Sequence, residues 1–202
     1  MGRHIKHVLT GDGMDRRVSG YYSTPKFIAQ FLFEELFAIN PAGASVFDPC
    51  VGREELLEPF IEAGVSAQGF DNRRYLQQYG CAFSELDFLD FYRQQLARNI
   101  KALPFDFFVA NPPYNCHETD YVRENKIWLR KTFADVGVAN MYSMFIAAMI
   151  DLAKDGALIG LLSFDSFLTA GLHCELRKKI LATCQIHTLI LCPTDLFLDQ
   201  GG

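Results

Sequence analysis

Residues 105–114 read Phe-Asp-Phe-Phe-Val-Ala-Asn-Pro-Pro-Tyr, an apolar run interrupted once by Asp106 and followed directly by Asn111-Pro112-Pro113-Tyr114. A short, nearly continuous apolar run of this kind suits a strand buried on both faces, as in a parallel sheet covered by helices. The tetrad falls where that strand ends. Two consecutive prolines remove two backbone donors and fix φ, giving a rigid extended turn whose carbonyls are not consumed by a continuing helix. The Asn111 side-chain oxygen and the Pro112 carbonyl can then accept both hydrogens of a planar exocyclic amine, such as an adenine N6. The Tyr114 ring offers a flat face for a base.

Working outward, the same strand-then-helix rhythm recurs on both sides. Upstream, Ser23 or Thr24 as N-cap, Pro25 at the first helical position, and Phe27, Ile28, Phe31, Leu32 and Leu36 at helical spacing predict an amphipathic helix ending near Asn40-Pro41. Strands are predicted at Ala44 to Phe47 and Ala67 to Phe70, with a weaker one at Cys81 to Phe83. Helices are predicted at Glu54 to Ala63, Arg74 to Tyr79 and Phe91 to Leu103. Downstream, Asn115 to Ala139 reads as a loop plus helix covering a site. It is followed by a helix from Met141 to Ala153, a strand from Ala157 to Leu162, a helix from Glu175 to Thr183 and a strand from Ile186 to Cys192. Alternation of this kind predicts a mainly parallel α/β sheet wrapped on both faces, with ligands at the carboxyl ends of the strands. Residues 1–20 read as a loose arm, and 21–202 as one domain.

Composition narrows the function classes. At 202 residues and half apolar, the chain supports one domain with a substantial core, and its net charge of -5 rules out a general electrostatic hold on nucleic acid. Contacts to phosphates must therefore be local, and the basic residues Arg123, Lys126, Arg130 and Lys131 around Trp128 are the better candidates. Arg177-Lys178-Lys179 reads as a solvated helix face. Cys50, Cys81, Cys116, Cys174, Cys184 and Cys192 form no Cys-x-x-Cys pair, so free thiols in a reducing cytoplasm are expected. Cys116, His117, His173, Cys174 and His187 match no metal-ligand spacing, and no metal is expected. No run approaches a membrane span.

The turn after the first strand reads Asp48-Pro49-Cys50-Val51-Gly52-Arg53-Glu54-Glu55. There Gly52 permits a close backbone approach, and a following helix N-terminus favours a ligand carboxylate. Asp71 ends the second strand, where a carboxylate can accept from both hydroxyls of a ribose, and Asp87-Phe88 follows the third.

With these residues in place, the chain resembles the adenine-specific DNA methyltransferases that make N6-methyladenine, in bacterial and phage restriction-modification or orphan systems. The resemblance runs from Tyr22 onward through Tyr22-Ser23-Thr24-Pro25, the Asp-Pro-x-x-Gly turn at Asp48, Asp71, Asp87-Phe88, the tetrad at Asn111 and Leu176-Arg177. It implies a Rossmann-like class I methyltransferase fold and S-adenosylmethionine as cofactor. Tyr22, Thr24, Asp48, Pro49, Gly52, Asp71, Asn72, Asp87, Phe88 and Asn111 are then the expected cofactor contacts. It also implies double-stranded DNA as partner, with the target adenine flipped out, Asn111, Pro112 and Tyr114 as catalytic groups, and Pro113, Tyr114 and Phe197 holding the base.

Two departures from the family pattern stand out. The family turn usually carries a second glycine two places after the first, but here that position is Glu54, whose side chain is expected to narrow the cofactor's room and oppose its carboxylate. The usual final antiparallel strand and the separate target-recognition domain are also expected to be absent from this stretch of sequence. The chain is accordingly expected to be part of a larger enzyme or to work with a specificity subunit. Other readings of the tetrad are a methyltransferase acting on a glutamine side chain or on guanine N2 of ribosomal RNA, or a methyltransferase-fold module without catalysis. The leading Thr24-Pro25 helix argues against the first two.

Overall fold

The computed structural model describes residues 22–100, 102–114, 120–137 and 141–192. Five strands, β1 (Ser45–Asp48), β2 (Ser66–Asp71), β3 (Ala82–Glu85), β4 (Phe107–Ala110) and β5 (Leu158–Leu161), form one sheet in the order β3-β2-β1-β4-β5. Every pairing is parallel. The order reverses between β1 and β4, the place where open α/β sheets form a crevice at their carboxyl ends. This is the expected Rossmann-like architecture, and no antiparallel strand occurs among the described residues.

The helices are α1 (Lys26–Ile39), α2 (Glu58–Glu62), α3 (Phe88–Ala97), α4 (Asp120–Glu124), α5 (Lys126–Thr132), α6 (Met141–Leu152), α7 (Ser166–Thr169) and α8 (Cys174–Thr183). Strand alternation explains how they divide into two layers. Val46, Phe107 and Val109 face a core built with Ala29, Leu36, Leu57 and Phe60 of the α1–α2 side. Phe47, Phe108 and Ala110 face a larger one containing Leu89, Tyr92, Met144, Ala148 and Leu176 of α3, α6 and α8. All four residues of β4 are completely buried, as expected of its unbroken apolar run. Asp106, the polar residue just before it, binds the start of β1. Its Oδ2 accepts from the Ala44 and Ser45 amides at 2.8 and 3.1 Å, while its Oδ1 accepts from Lys154 Nζ at 2.7 Å. These bonds hold its carboxyl down at about 2, led by the Lys154 bond.

Several predicted elements differ in the structure. Pro25, not Ser23 or Thr24, caps α1, and its carbonyl accepts from the Ile28 and Ala29 amides. The helix predicted from Glu54 begins only at Glu58, because Glu54 adopts φ +71° and Pro59 fits the first turn. Arg74 to Tyr79 is not helical. There the Tyr79 hydroxyl accepts from the Tyr75 amide and donates to the Gly52 carbonyl at 2.9 Å, side-chain bonds replacing a helical ladder. The helix predicted from Phe91 starts at Phe88, because the Asp87 carboxylate accepts from the Asp90 amide at 3.0 Å as an N-cap. It stops before Asn99, at φ +56°. Residues 186–192 form no strand: no other strand pairs with them among the described residues, and Ile186, Leu189, Ile190 and Leu191 stay exposed. The predicted arm, Cys116, His117 and Phe197 lie outside the described residues. Among the described residues, no helix is long and apolar enough to cross a membrane.

Candidate active site

The turn after β1 is held by side chains reaching back to its own backbone. Asp48 Oδ1 accepts from the Cys50 amide at 2.9 Å, and Asp71 Oδ2 at the end of β2 accepts from the Gly52 amide at 3.0 Å. Glu55 Oε2 accepts from the Arg53 amide, and its other oxygen accepts from Ser23 Oγ at 2.9 Å. The Val51 amide donates to Phe70 O at 2.8 Å, laying the turn across β2. Gly69 makes that approach possible, since a Cβ there would sit 2.8 Å from the Val51 side chain. Gly52 itself sits at φ +53°.

The expectation of free amides and a helix N-terminus awaiting a carboxylate is therefore not met. The amides of Cys50, Val51, Gly52 and Arg53 are already bonded, and the helix starts at Glu58. The expected clash at Glu54 is not seen either. Its carboxylate turns away from the cavity and accepts from the amides of Gly80 and Cys81, where the chain enters β3.

One cavity opens at the switch point between β1 and β4. All ten residues expected to contact a cofactor line it: Tyr22, Thr24, Asp48, Pro49, Gly52, Asp71, Asn72, Asp87, Phe88 and Asn111. Pro113 joins them, whereas Pro112 and Tyr114 are not among the lining residues. Cys50, Val51, Glu55, Leu56, Tyr75, Tyr121, Met141 and Phe145 also line it and were missed, most of them reading simply as core or helix surface. For Glu55 and Tyr121 the signal was position alone, a polar group downstream of the strand-end motifs at Asp48 and Asn111. Burial pushes the Asp48 carboxyl up to about 8 and Asp71 up to about 6, and it also raises Asp87. The bonds of Asp48 and Asp71 go to backbone amides, which soften the effect of burial without cancelling it. The cavity thus gathers buried carboxyl groups with a shortage of positive charge around them.

At the end of β4, the Asn111 amide nitrogen donates to the Tyr22 carbonyl at 3.0 Å and to Thr24 Oγ1 at 3.1 Å. Because a carbonyl can only accept, the Nδ2 end must face Tyr22, and Oδ1 is left as an acceptor at the cavity. Among the described residues no donor reaches the Pro112 carbonyl. The Tyr114 hydroxyl donates to the Leu162 carbonyl at 2.9 Å, fixing its ring over the end of β5. Tyr22 meets that ring edge-on with centroids 5.7 Å apart, and Phe164 lies against it at 4.1 Å. Phe164 was not singled out by sequence, and its own exposure gives no hint of the contact.

Residues 89–201 of the 202 match the family model described as N-6 DNA methylase, more than half of the chain. The chain belongs to the N-6 DNA methylase family. In this family member the matched stretch holds most of α3, then β4, the tetrad and every later element, while the turn at Asp48 precedes it. Among solved structures, the chain is similar to the SAM-dependent methyltransferase from Agrobacterium tumefaciens, at 12% identity and a TM-score of 0.46 over 76% of this chain and 50% of that one. It therefore spans about half the length of that protein. No curated protein matches it.

Proposed function

We propose that this N-6 DNA methylase family member transfers the methyl group of S-adenosylmethionine to N6 of an adenine turned out of duplex DNA. The observation that carries the reading is the orientation of Asn111. Its NH2 is spent on Tyr22 and Thr24, so its oxygen faces the cavity as an acceptor, next to the Pro112 carbonyl, which no donor reaches among the described residues. An amino group seated there donates to both oxygens, which favours a more tetrahedral nitrogen and aims its lone pair into the cavity. The carbonyl of Pro112 is rigid because proline fixes φ on both sides of it.

The cavity also suits the cofactor. Asp48, Asp71, Asp87 and Glu55 line it, and burial raises the first three. A ligand bearing an ammonium, a sulfonium and a ribose diol brings cations and hydroxyl donors to this cluster of buried acids. Asp71, at the end of β2, would accept from the ribose hydroxyls, and Asp48 and Glu55 would face the cationic end. Tyr121 and Phe88 would bracket the adenine. When bound, S-adenosylmethionine supplies an electrophilic methyl on a sulfonium leaving group. The N6 proton released on transfer passes to water, so no strong protein base is needed.

The test has two steps. Calorimetric titration with S-adenosylmethionine should show binding, and labelled methyl should then appear in duplex DNA rather than in RNA or a glutamine-bearing protein. Asn111→Ala should abolish transfer while leaving cofactor binding largely intact; near-normal turnover in that variant would refute the assigned role.

A further inference from the structure

Helix α5 carries an exposed face that nothing in the fold explains. Ile127, Arg130 and Lys131 recur at i, i+3 and i+4, so they share one side, while Leu129 and Phe133 are buried on the other. Ile127 is 90% exposed. A large apolar side chain so open on a helix facing water has no packing role here.

Charge sets the same face apart. In a chain of net charge -5, α5 holds Lys126, Arg130 and Lys131 and no acid. Several basic groups elsewhere pair with acids: Lys26 with Glu58, Lys154 with Asp106 and Lys178 with Glu175, all within 3 Å. The acid that follows α5, Asp135, is itself taken by Lys179 at 2.9 Å and so does not offset the patch. Arg130 and Lys131 have no acidic partner among the described residues.

Position ties this face to the site. Tyr121 of α4 lines the cavity and donates to Asp90 at 3.2 Å. Trp128 of α5 donates to Asn125 Oδ1 at 2.9 Å and lies under the Arg93 guanidinium at 5.3 Å, which docks α5 on α3 and adds a further cation nearby. The patch therefore sits on a helix that follows the cavity-lining Tyr121 and packs on α3, whose first residue, Phe88, also lines the cavity.

We infer that the Ile127-Arg130-Lys131 face of α5 seats the sugar–phosphate backbone of the nucleic acid whose base enters the cavity. This rests on the proposed action on DNA. Phosphates meet the cations, and Ile127 meets the apolar face of a sugar. Such contacts position the strand without reading its sequence, so they act on any duplex.

The test uses the full chain and a labelled duplex of mixed sequence, with binding followed by fluorescence anisotropy between about 50 and 200 mM salt. In Arg130→Ala/Lys131→Ala, the slope of log affinity against log salt should flatten by about 2, or about 0.9 for each phosphate no longer neutralised. Lys178→Ala, which removes a cation already paired, should keep the original slope. Calorimetry with S-adenosylmethionine on the double variant should match the unaltered chain, showing that the fold and the cofactor site survive. A double variant with an unchanged slope overturns the inference and leaves the proposed activity standing; a face that serves an acidic protein partner gives this result. A chain that binds the cofactor but no duplex overturns the proposed action on DNA and the inference with it.

Discussion

Glu54 gives the sharpest test of how the turn is held together. It occupies φ +71°, a conformation in which a side chain costs about 1 kcal/mol relative to glycine. Its carboxylate accepts from the amides of Gly80 and Cys81, 26 and 27 residues along the chain. Hydrogen bonds to a charged group are worth about 1.5–3 kcal/mol each. Discounting the bond at exposed Gly80 to about 1 kcal/mol and leaving about 2 for the other puts the loss on truncation at about 3 kcal/mol. Glu54→Ala keeps the backbone strain and loses both bonds, so it should cost about 3 kcal/mol. Glu54→Gly also loses the bonds but relieves the strain, so it should cost only about 2.

The order is the reverse of the usual one, in which alanine is the milder replacement in ordered structure. For a chain of this size, about 1 kcal/mol moves the melting temperature by about 2–4 °C, so thermal and urea unfolding of the two variants resolve it. Equal stabilities, or alanine above glycine, would refute the account of a strained residue retained for its carboxylate. Calorimetry should find S-adenosylmethionine affinity little changed in both variants, because Glu54 does not line the cavity.

With Asp48 raised to about 8 and Asp71 to about 6 in the free protein, both are partly protonated near neutrality. A cationic ligand favours their ionised forms, so S-adenosylmethionine should bind more tightly as pH rises from about 6 to about 8 and should release protons, read as a binding heat that changes with the buffer's ionisation enthalpy. The linked stability has the opposite sign. Folded pKa values above the unfolded value near about 3.9 give a contribution present below about pH 4 and lost as pH rises through about 6 and about 8, so unfolding of the ligand-free chain should grow easier toward about pH 8. Phe164 lies on the Tyr114 ring at 4.1 Å, too close to admit a base between them. If that contact must break, at about 1 kcal/mol for an aromatic pair, Phe164→Ala should lower the KM for DNA about fivefold; a raised KM would make Phe164 a wall of the base site instead.

Sequence revealed the sheet and the placement of the candidate site because both depend on local pattern. An apolar run at Phe107–Ala110 buries itself on both faces whatever surrounds it, and the polar residue ending each strand must emerge at the sheet's carboxyl edge. Asp48, Asp71 and Asn111 consequently converge once the strands are parallel. The features that escaped were set by partners distant in the chain. Arg74–Tyr79 has helical spacing, but the Tyr79 hydroxyl finds Gly52 and the Tyr75 amide instead. Ile186–Cys192 has strand composition, yet a strand exists only where a neighbour pairs with it, and β5 remains the sheet edge among the described residues. Phe164 follows β5 with no periodicity to mark it. Its contact with Tyr114 arises only because the Tyr114 hydroxyl is tied to Leu162.

Glu54 shows why a departure from a family pattern need not weaken a site. The backbone here is left-handed, a conformation that favours glycine, and Glu54 reaches it with a carboxylate that then binds amides elsewhere. With Asp48, Asp71 and Glu55 also bonded to amides of the turn or its neighbours, the loop is fixed by carboxylates before any ligand arrives. That arrangement has an electrostatic consequence. A turn whose amides are already occupied offers little to a carboxylate, while the ring of acids around it favours a cation. Discrimination at this site should therefore depend on the sulfonium and ammonium of a ligand more than on its carboxylate. S-adenosylhomocysteine, which lacks the sulfonium charge, should consequently bind more weakly than S-adenosylmethionine, and the gap should widen as pH rises and Asp48 ionises.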